Sequence, residues 1–189
     1  MRLFIAIDVP EEIKEKAERI NQEIKALPGS FTFVDKEAMH ITLNFIGEVD
    51  DSLAKNAIKA LDEVSFFPFE VALKGLSYFS PSFIRVIYIP VSEGNGELSR
   101  LFSIVGEALQ NESVPYEHSN DEINQFKAHL TMARVKYIKE KKPLLDIIAH
   151  HSNDEFGKFK VESIALKQST LTEKGPIYKD LYRIVLGKK

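Results

Sequence analysis

The chain contains no cysteine and no tryptophan. Without cysteine there are no disulfides, no thiolate nucleophile and no zinc–thiolate site. No apolar run approaches the ~20 residues that a membrane-spanning helix needs. Neither sign of charge dominates: 25 Lys+Arg stand against 28 Asp+Glu, for a net charge of −3. A broad nucleic-acid-binding face would carry a basic surplus, so any phosphate contact here must be local. Walker loops, GxGxxG turns, EF-hand loops and HExxH pairs are all missing.

What remains is ordinary for a soluble globular protein, with 44% hydrophobic and 28% charged residues. A length of 189 residues suits one large domain or two small lobes. The opening MRLFIAIDVPEEI holds one basic residue, a short apolar run and then acid. No small-residue cleavage site follows, so it is expected to be a first strand rather than a signal peptide, in a cytoplasmic protein.

Strands and helices alternate along the chain. Leu3–Val9 is β-rich and stops at Pro10. Pro10 to Leu27 has helical spacing, with Glu11 and Glu12 in the first turn and Pro28-Gly29-Ser30 as the stop. Met39–Gly47 is expected to be a strand, Asp51–Val64 a helix, Pro68–Ser80 a loosely alternating strand and Phe83–Val91 another. The order then starts again. Gly96–Leu109 is an amphipathic helix, Lys127–Val135 a strand and Lys142–His151 a short helix. Phe156–Thr170 and Ile177–Leu186 are closing strands, with a turn at Gly175-Pro176. Phe69-Glu70-Val71 and Phe159-Lys160-Val161 lie at matching offsets from His40 and His129. Phe83–Val91 holds the place in the first half that Tyr178–Leu186 holds in the second. We read residues 1–189 as one two-lobed domain with an internal duplication.

Two of the five histidines share a four-residue frame: His40-Ile41-Thr42-Leu43 and His129-Leu130-Thr131-Met132. Alternate residues of a strand face the same side. His40 and Thr42 therefore share one face, as do His129 and Thr131, while the apolar partners point to a core. If the halves pack about a pseudo-twofold axis, both polar pairs enter one cleft. Two imidazoles there can act as base and acid on opposite sides of a phosphorus near neutral pH. Threonine hydroxyls can donate to the non-bridging oxygens. The scheme needs no metal and no cofactor.

Other features draw blander readings. Arg134 follows His129 by an odd offset, so a regular strand would turn it away from the cleft, and only a bulge or the strand's end would bring it in. His118 reads as a solvated loop residue. His150-His151 closes a helix, where imidazolium suits the C-terminal dipole. Lys136, Lys139, Lys141 and Lys142 read as a solvated face that could attract an RNA backbone. Phe33, Phe45 and Tyr178 are candidates to stack on a base.

HITL and HLTM resemble the two HxTx motifs, at 40–43 and 129–132, of the 2H phosphoesterase superfamily. With RLFIAIDVP, HITLNFIGEV and HLTMARV they resemble its RNA 2′,3′-cyclic phosphodiesterase branch, also called 2′-5′ RNA ligase-like. The resemblance implies an α+β fold of two pseudo-symmetric lobes, each an antiparallel sheet with helices outside, and a groove between them. It implies hydrolysis of an RNA terminal 2′,3′-cyclic phosphate to a 2′-phosphomonoester, with a reverse 2′-5′ joining reaction. The implied partner is RNA, tRNA-derived ends included, acted on by a monomer without membrane contact. By the same resemblance His40 is the proton donor, His129 the proton acceptor, and Thr42, Thr131 and Arg134 hold the substrate. Three alternatives stay open. The first is a phosphodiesterase for another cyclic nucleotide, ADP-ribose cyclic phosphate or 2′-5′ oligonucleotide. The second is a non-catalytic RNA-end-binding module. The third is a metal-dependent hydrolase, disfavoured because no carboxylate repeats in register with both histidines.

Overall fold

The computed structural model describes residues 1–80, 82–116, 126–172 and 175–187. His118 lies outside them. The first half supplies β1 (Arg2–Asp8), α1 (Glu11–Lys25), β2 (Gly29–Phe33), a 3-10 turn (Lys36–Ala38) and β3 (His40–Glu48). After these come α2 (Asp51–Glu63), β4 (Phe69–Lys74), β5 (Ser77–Phe79) and β6 (Val86–Glu93). The second half supplies α3 (Asn95–Asn111), β7 (His129–Ile138), α4 (Lys141–His150), β8 (Glu155–Val161), β9 (Ser163–Thr172) and β10 (Gly175–Val185).

Local chemistry accounts for several boundaries. Pro10 caps α1 with extended backbone, and Glu11 and Glu12 sit where the helix dipole favours acid. Asp50 caps α2 by accepting from the Leu53 amide at 2.8 Å. The stretch read as one strand over Pro68–Ser80 is two strands. Gly75 breaks it at φ +80°, and a Cβ there would lie 2.5 Å from the Ser152 carbonyl oxygen. Phe156–Thr170 likewise divides at Glu162 into β8 and β9. Gly175 and Pro176, expected as a turn, already belong to β10 and pair with Thr172 and Leu171. Pro28-Gly29-Ser30 does end α1, but Gly29 also starts β2, a strand absent from the sequence reading.

The strands form one extended, antiparallel system in the order β10-β9-β1-β3-β7-β6-β4-β8, with β2 also on β7 and β5 on β6. One lobe is β10-β9-β1-β3, with α2 and α3 packed on it. The other holds β2, β4, β5, β6, β7 and β8, with α1 against β7, β8 and α4. Each lobe thus mixes strands from both halves of the chain. The sequence reading equated Phe83–Val91 with Tyr178–Leu186. The pairing instead gives β6 the place of β1: β1 lies beside β3, and β6 lies beside β7. β10 is an added edge strand on β9. Hydrogen bonding between distant strands decides this, and the content of either strand alone does not.

Two contacts join segments that sit at matching places in the halves. Ile41 of β3 pairs with Leu130 of β7, one residue beyond each histidine. Phe69-Glu70-Val71 pairs antiparallel with Val161-Lys160-Phe159. A continuous core runs behind the sheet and includes Ile41, Leu43, Leu130 and Met132, each no more than 3% exposed. No helix among the described residues is long and apolar enough to cross a membrane.

Candidate active site

The first residues of β3 and β7 open onto one cleft of about 630 Å³. His40, Thr42, His129, Thr131 and Arg134 all line it. This is the volume of a small-molecule site, well beyond what a lone phosphate needs.

Each imidazole is held in the same way. The Nδ1–H of His40 donates to the Ala38 carbonyl at 2.7 Å, and that of His129 donates to the Lys127 carbonyl at 2.6 Å. A carbonyl can only accept, so these bonds put the ring proton on Nδ1 and leave the Nε2 lone pair free for chemistry. Thr42 Oγ1 lies 3.0 Å from His40 Nε2, within reach to donate to it. Both rings also lean on aromatics. His40 lies 4.9 Å from Phe4 and 5.1 Å, edge-on, from Tyr178. His129 lies 5.1 Å from each of Phe79 and Tyr88.

Burial sets the titration of the pair. It pushes His40 down to about 4, against the pull of the Ala38 carbonyl; the Lys167 ammonium and His129 push the same way, and Asp8 opposes them. Burial also lowers His129, helped by the Arg134 and Lys127 cations and opposed by the Lys127 carbonyl. Both imidazoles are therefore neutral in the free cleft at pH 7. An anion placed between them would favour protonation of either ring.

Arg134 reaches the cleft through a bulge. Along β7, Tyr88 pairs with Thr131 and Ile87 with Ala133, so Met132 is the extra residue. Met132 and Ala133 are both fully buried, and the alternation resumes with Arg134 on the His129 side. β3 repeats the device. Ala6 pairs with Thr42 and Ile5 with Asn44, leaving Leu43 over, and the next cleft-facing residue is Phe45. Phe45 and Arg134 thus occupy matching positions, one aromatic and one cationic.

Several lining residues escaped the sequence reading. Arg2 and Phe4 share the cleft face of β1, and Thr32 and Asp35 come from the segment that leads into β3. The alternation of Arg2, Phe4, Ala6 and Asp8 held a signal for the first two. Behind His40, buried Lys167 bonds Asp8 at 2.9 Å and Asp180 at 2.5 Å, and Arg183 bonds both carboxylates. These ion pairs hold Asp8 below the usual carboxylate range although burial opposes them. Phe33, Phe45 and Tyr178 all line the cleft. Lys136, Lys139, Lys141 and Lys142 do not; Lys142 pairs with Asp146, and Lys141 bonds the Ser82 carbonyl. His151 is not a free helix cap. Its Nδ1 meets Asp154 at 2.7 Å and its Nε2 meets Glu23 at 3.1 Å. No group of three or more His, Asp or Glu among the described residues is arranged to hold a metal ion.

The fold, with its two His-x-Thr strands converging on one cleft, is that of a 2H phosphoesterase. Within that class the chain belongs to the LigT-like phosphoesterase family, whose profile matches it twice, over residues 7–88 and 89–178. It is 41% identical over 182 residues to the RNA 2′,3′-cyclic phosphodiesterase of Archaeoglobus fulgidus, covering 96% of this chain and 98% of that one. The Methanocaldococcus jannaschii protein of the same name is 38% identical over 149 residues, 78% of this chain and 79% of its own. Among solved structures, a Thermus thermophilus protein superposes with a TM-score of 0.76 at 26% identity, covering 98% of this chain and 97% of that one. Escherichia coli LigT, crystallised with 3′-AMP, superposes at 0.73 and 22% identity, over 99% and 98% of the two chains, and shares the fold.

Proposed function

We propose that this chain hydrolyses a 2′,3′-cyclic phosphate at an RNA end to the 2′-phosphomonoester, with His40 as proton donor and His129 as proton acceptor. The observation that carries this reading is the matched tethering of two imidazoles by backbone carbonyls, which leaves both Nε2 atoms for one cleft. The names of the relatives supply the substrate class.

In this reaction His129 Nε2 takes a proton from water. The hydroxide oxygen bonds to phosphorus as the P–O3′ bond breaks. His40, protonated when the substrate anion is bound, gives its Nε2 proton to O3′. Water has then added across one P–O bond, and a proton exchange through solvent restores both rings. Thr42, Thr131 and Arg134 donate to the phosphoryl oxygens as their charge shifts. A 5′-hydroxyl in place of water forms a 2′-5′ linkage by the same proton transfers.

The test uses an RNA oligonucleotide ending in a 2′,3′-cyclic phosphate, in EDTA, with the product end identified. Conversion to a 2′-phosphate by wild type, lost in His40→Ala and His129→Ala, is the expected result. No turnover with binding retained would instead identify an RNA-end-binding module. Turnover abolished by EDTA alone would point to a metal-dependent hydrolase.

A further inference from the structure

The reacting phosphate carries one negative charge, and the cleft holds two arginines. Arg134 stands on the His129 strand, and Arg2 enters from β1. Arg2 pairs across the sheet with Ser169 of β9, and Ser169 pairs with Tyr178 of β10. Directly paired residues point to the same side of a sheet, and neighbouring strands lie about 4.8 Å apart. Arg2, Ser169 and Tyr178 thus form one row on three adjacent strands, and all three line the cleft. Among the described residues, none of these side chains makes a hydrogen bond and Arg2 makes no ion pair. Glu48, opposite Arg2 on β3, pairs with the Met1 amine instead. Burial raises the pKa of Tyr178 and the Arg134 and Arg2 cations oppose it, so both arginines lie within electrostatic reach of that phenol.

A guanidinium without a partner, in a row with two unengaged hydroxyls, is a donor set for a second phosphate. In a chain of net charge −3 it is also a local exception to the overall sign. The row is offset from the histidines. Arg2 lies two residues, about 6.6 Å of strand, beyond Phe4, whose ring is 4.9 Å from that of His40. That offset is a step along a nucleotide chain rather than a single bond. We propose that Arg2, with Ser169 and Tyr178, forms a second phosphate subsite that takes the phosphate on the 5′ side of the terminal nucleoside. The inference rests on the cyclic-phosphate reading above and narrows its substrate class. It favours an RNA end, or a nucleotide with a 5′-phosphate, over a lone nucleoside cyclic phosphate. Arg2 is then a specificity-determining residue and takes no part in the proton transfers.

The experiment compares kcat/KM for three substrates: adenosine 2′,3′-cyclic phosphate, its 5′-phosphorylated form, and the dinucleotide ApA ending in a 2′,3′-cyclic phosphate. Wild type should prefer the two with a second phosphate by roughly 10- to 150-fold, the worth of a hydrogen bond to a charged group. The preference should shrink as salt rises. In Arg2→Gln it should collapse towards one. Tyr178→Phe, which keeps the ring and removes the hydroxyl, should lower it in part. Arg134→Ala should depress all three substrates alike. A preference absent from wild type, or intact in Arg2→Gln, overturns the subsite while leaving the hydrolytic reading in place. So does a preference for the dinucleotide alone, which would put the recognition on the second nucleoside. Wild type inert towards all three and towards longer cyclic-ended RNA removes the hydrolytic reading and the subsite with it.

Discussion

Ile41 pairs with Leu130 where the two histidine strands meet, and both side chains are fully buried. Each follows its histidine by one residue, so this contact sets how far apart the two imidazoles start. The spacing of the two imidazoles is in this sense a packing property. Leu130→Ala should cost about 2–5 kcal/mol, the range for deleting a buried leucine side chain. Thermal unfolding should fall by roughly 2–4 °C per kcal/mol for a chain of this size. A loss well under 1 kcal/mol would show that the junction repacks freely.

Removing either imidazole should lower kcat by about 10²- to 10⁴-fold, the usual worth of one acid or base. The double variant His40→Ala/His129→Ala should fall less than the product of the single losses, because two groups acting in one transition state are not independent. Steady-state rates on a cyclic-phosphate substrate measure this. Strictly multiplicative losses would argue against concerted action.

The pH profile follows from burial of both rings. The proposed mechanism needs one ring protonated and the other neutral, so kcat/KM should trace a bell whose limbs are the two free-enzyme values. His40 lies at about 4 and His129 below its ordinary value of 6.5, so the apex should fall below pH 6.5. The bound phosphate anion stabilises imidazolium, so the kcat apex should sit at higher pH than that of kcat/KM. An apex of kcat/KM above pH 7 would contradict the neutral resting pair.

His151 is predicted to act on stability alone. It bridges Glu23 of α1 and Asp154, which follows α4, and these carboxylates raise its pKa although burial opposes the charge. A folded-state pKa above the unfolded one contributes stability in full below the unfolded value, near 6.5, and loses it as pH rises through the folded value. His151→Asn should therefore destabilise by about 1–2 kcal/mol at pH 5.5, given that both carboxylates are half exposed. The gap from wild type should narrow at pH 9. Chemical unfolding at the two pH values checks it, and a gap that does not depend on pH would show that the ring serves only to fill space.

Much of the site could be read without coordinates. A histidine and a threonine two residues apart on a strand must share a face, so His40, Thr42, His129 and Thr131 were assignable to a common cleft once the halves were seen to match. The helices were legible for the same reason, since apolar spacing and terminal acids or prolines are local properties. Arg134 was open on sequence alone, because its offset gives the wrong parity on a regular strand. A bulge is one residue more than the partner strand has, and Met132 becomes the extra residue only when Ile87 and Tyr88 lie opposite. The same holds for Leu43 against Ile5 and Ala6. Phe4, Tyr88 and the Lys167 ion pairs came to the histidines through long-range register, which no single segment encodes. Residue order alone determined which side chains share each strand face. Tertiary pairing settled which half's strands build each lobe and which side chains complete the cleft, because backbone hydrogen bonds between distant strands set register and local periodicity does not.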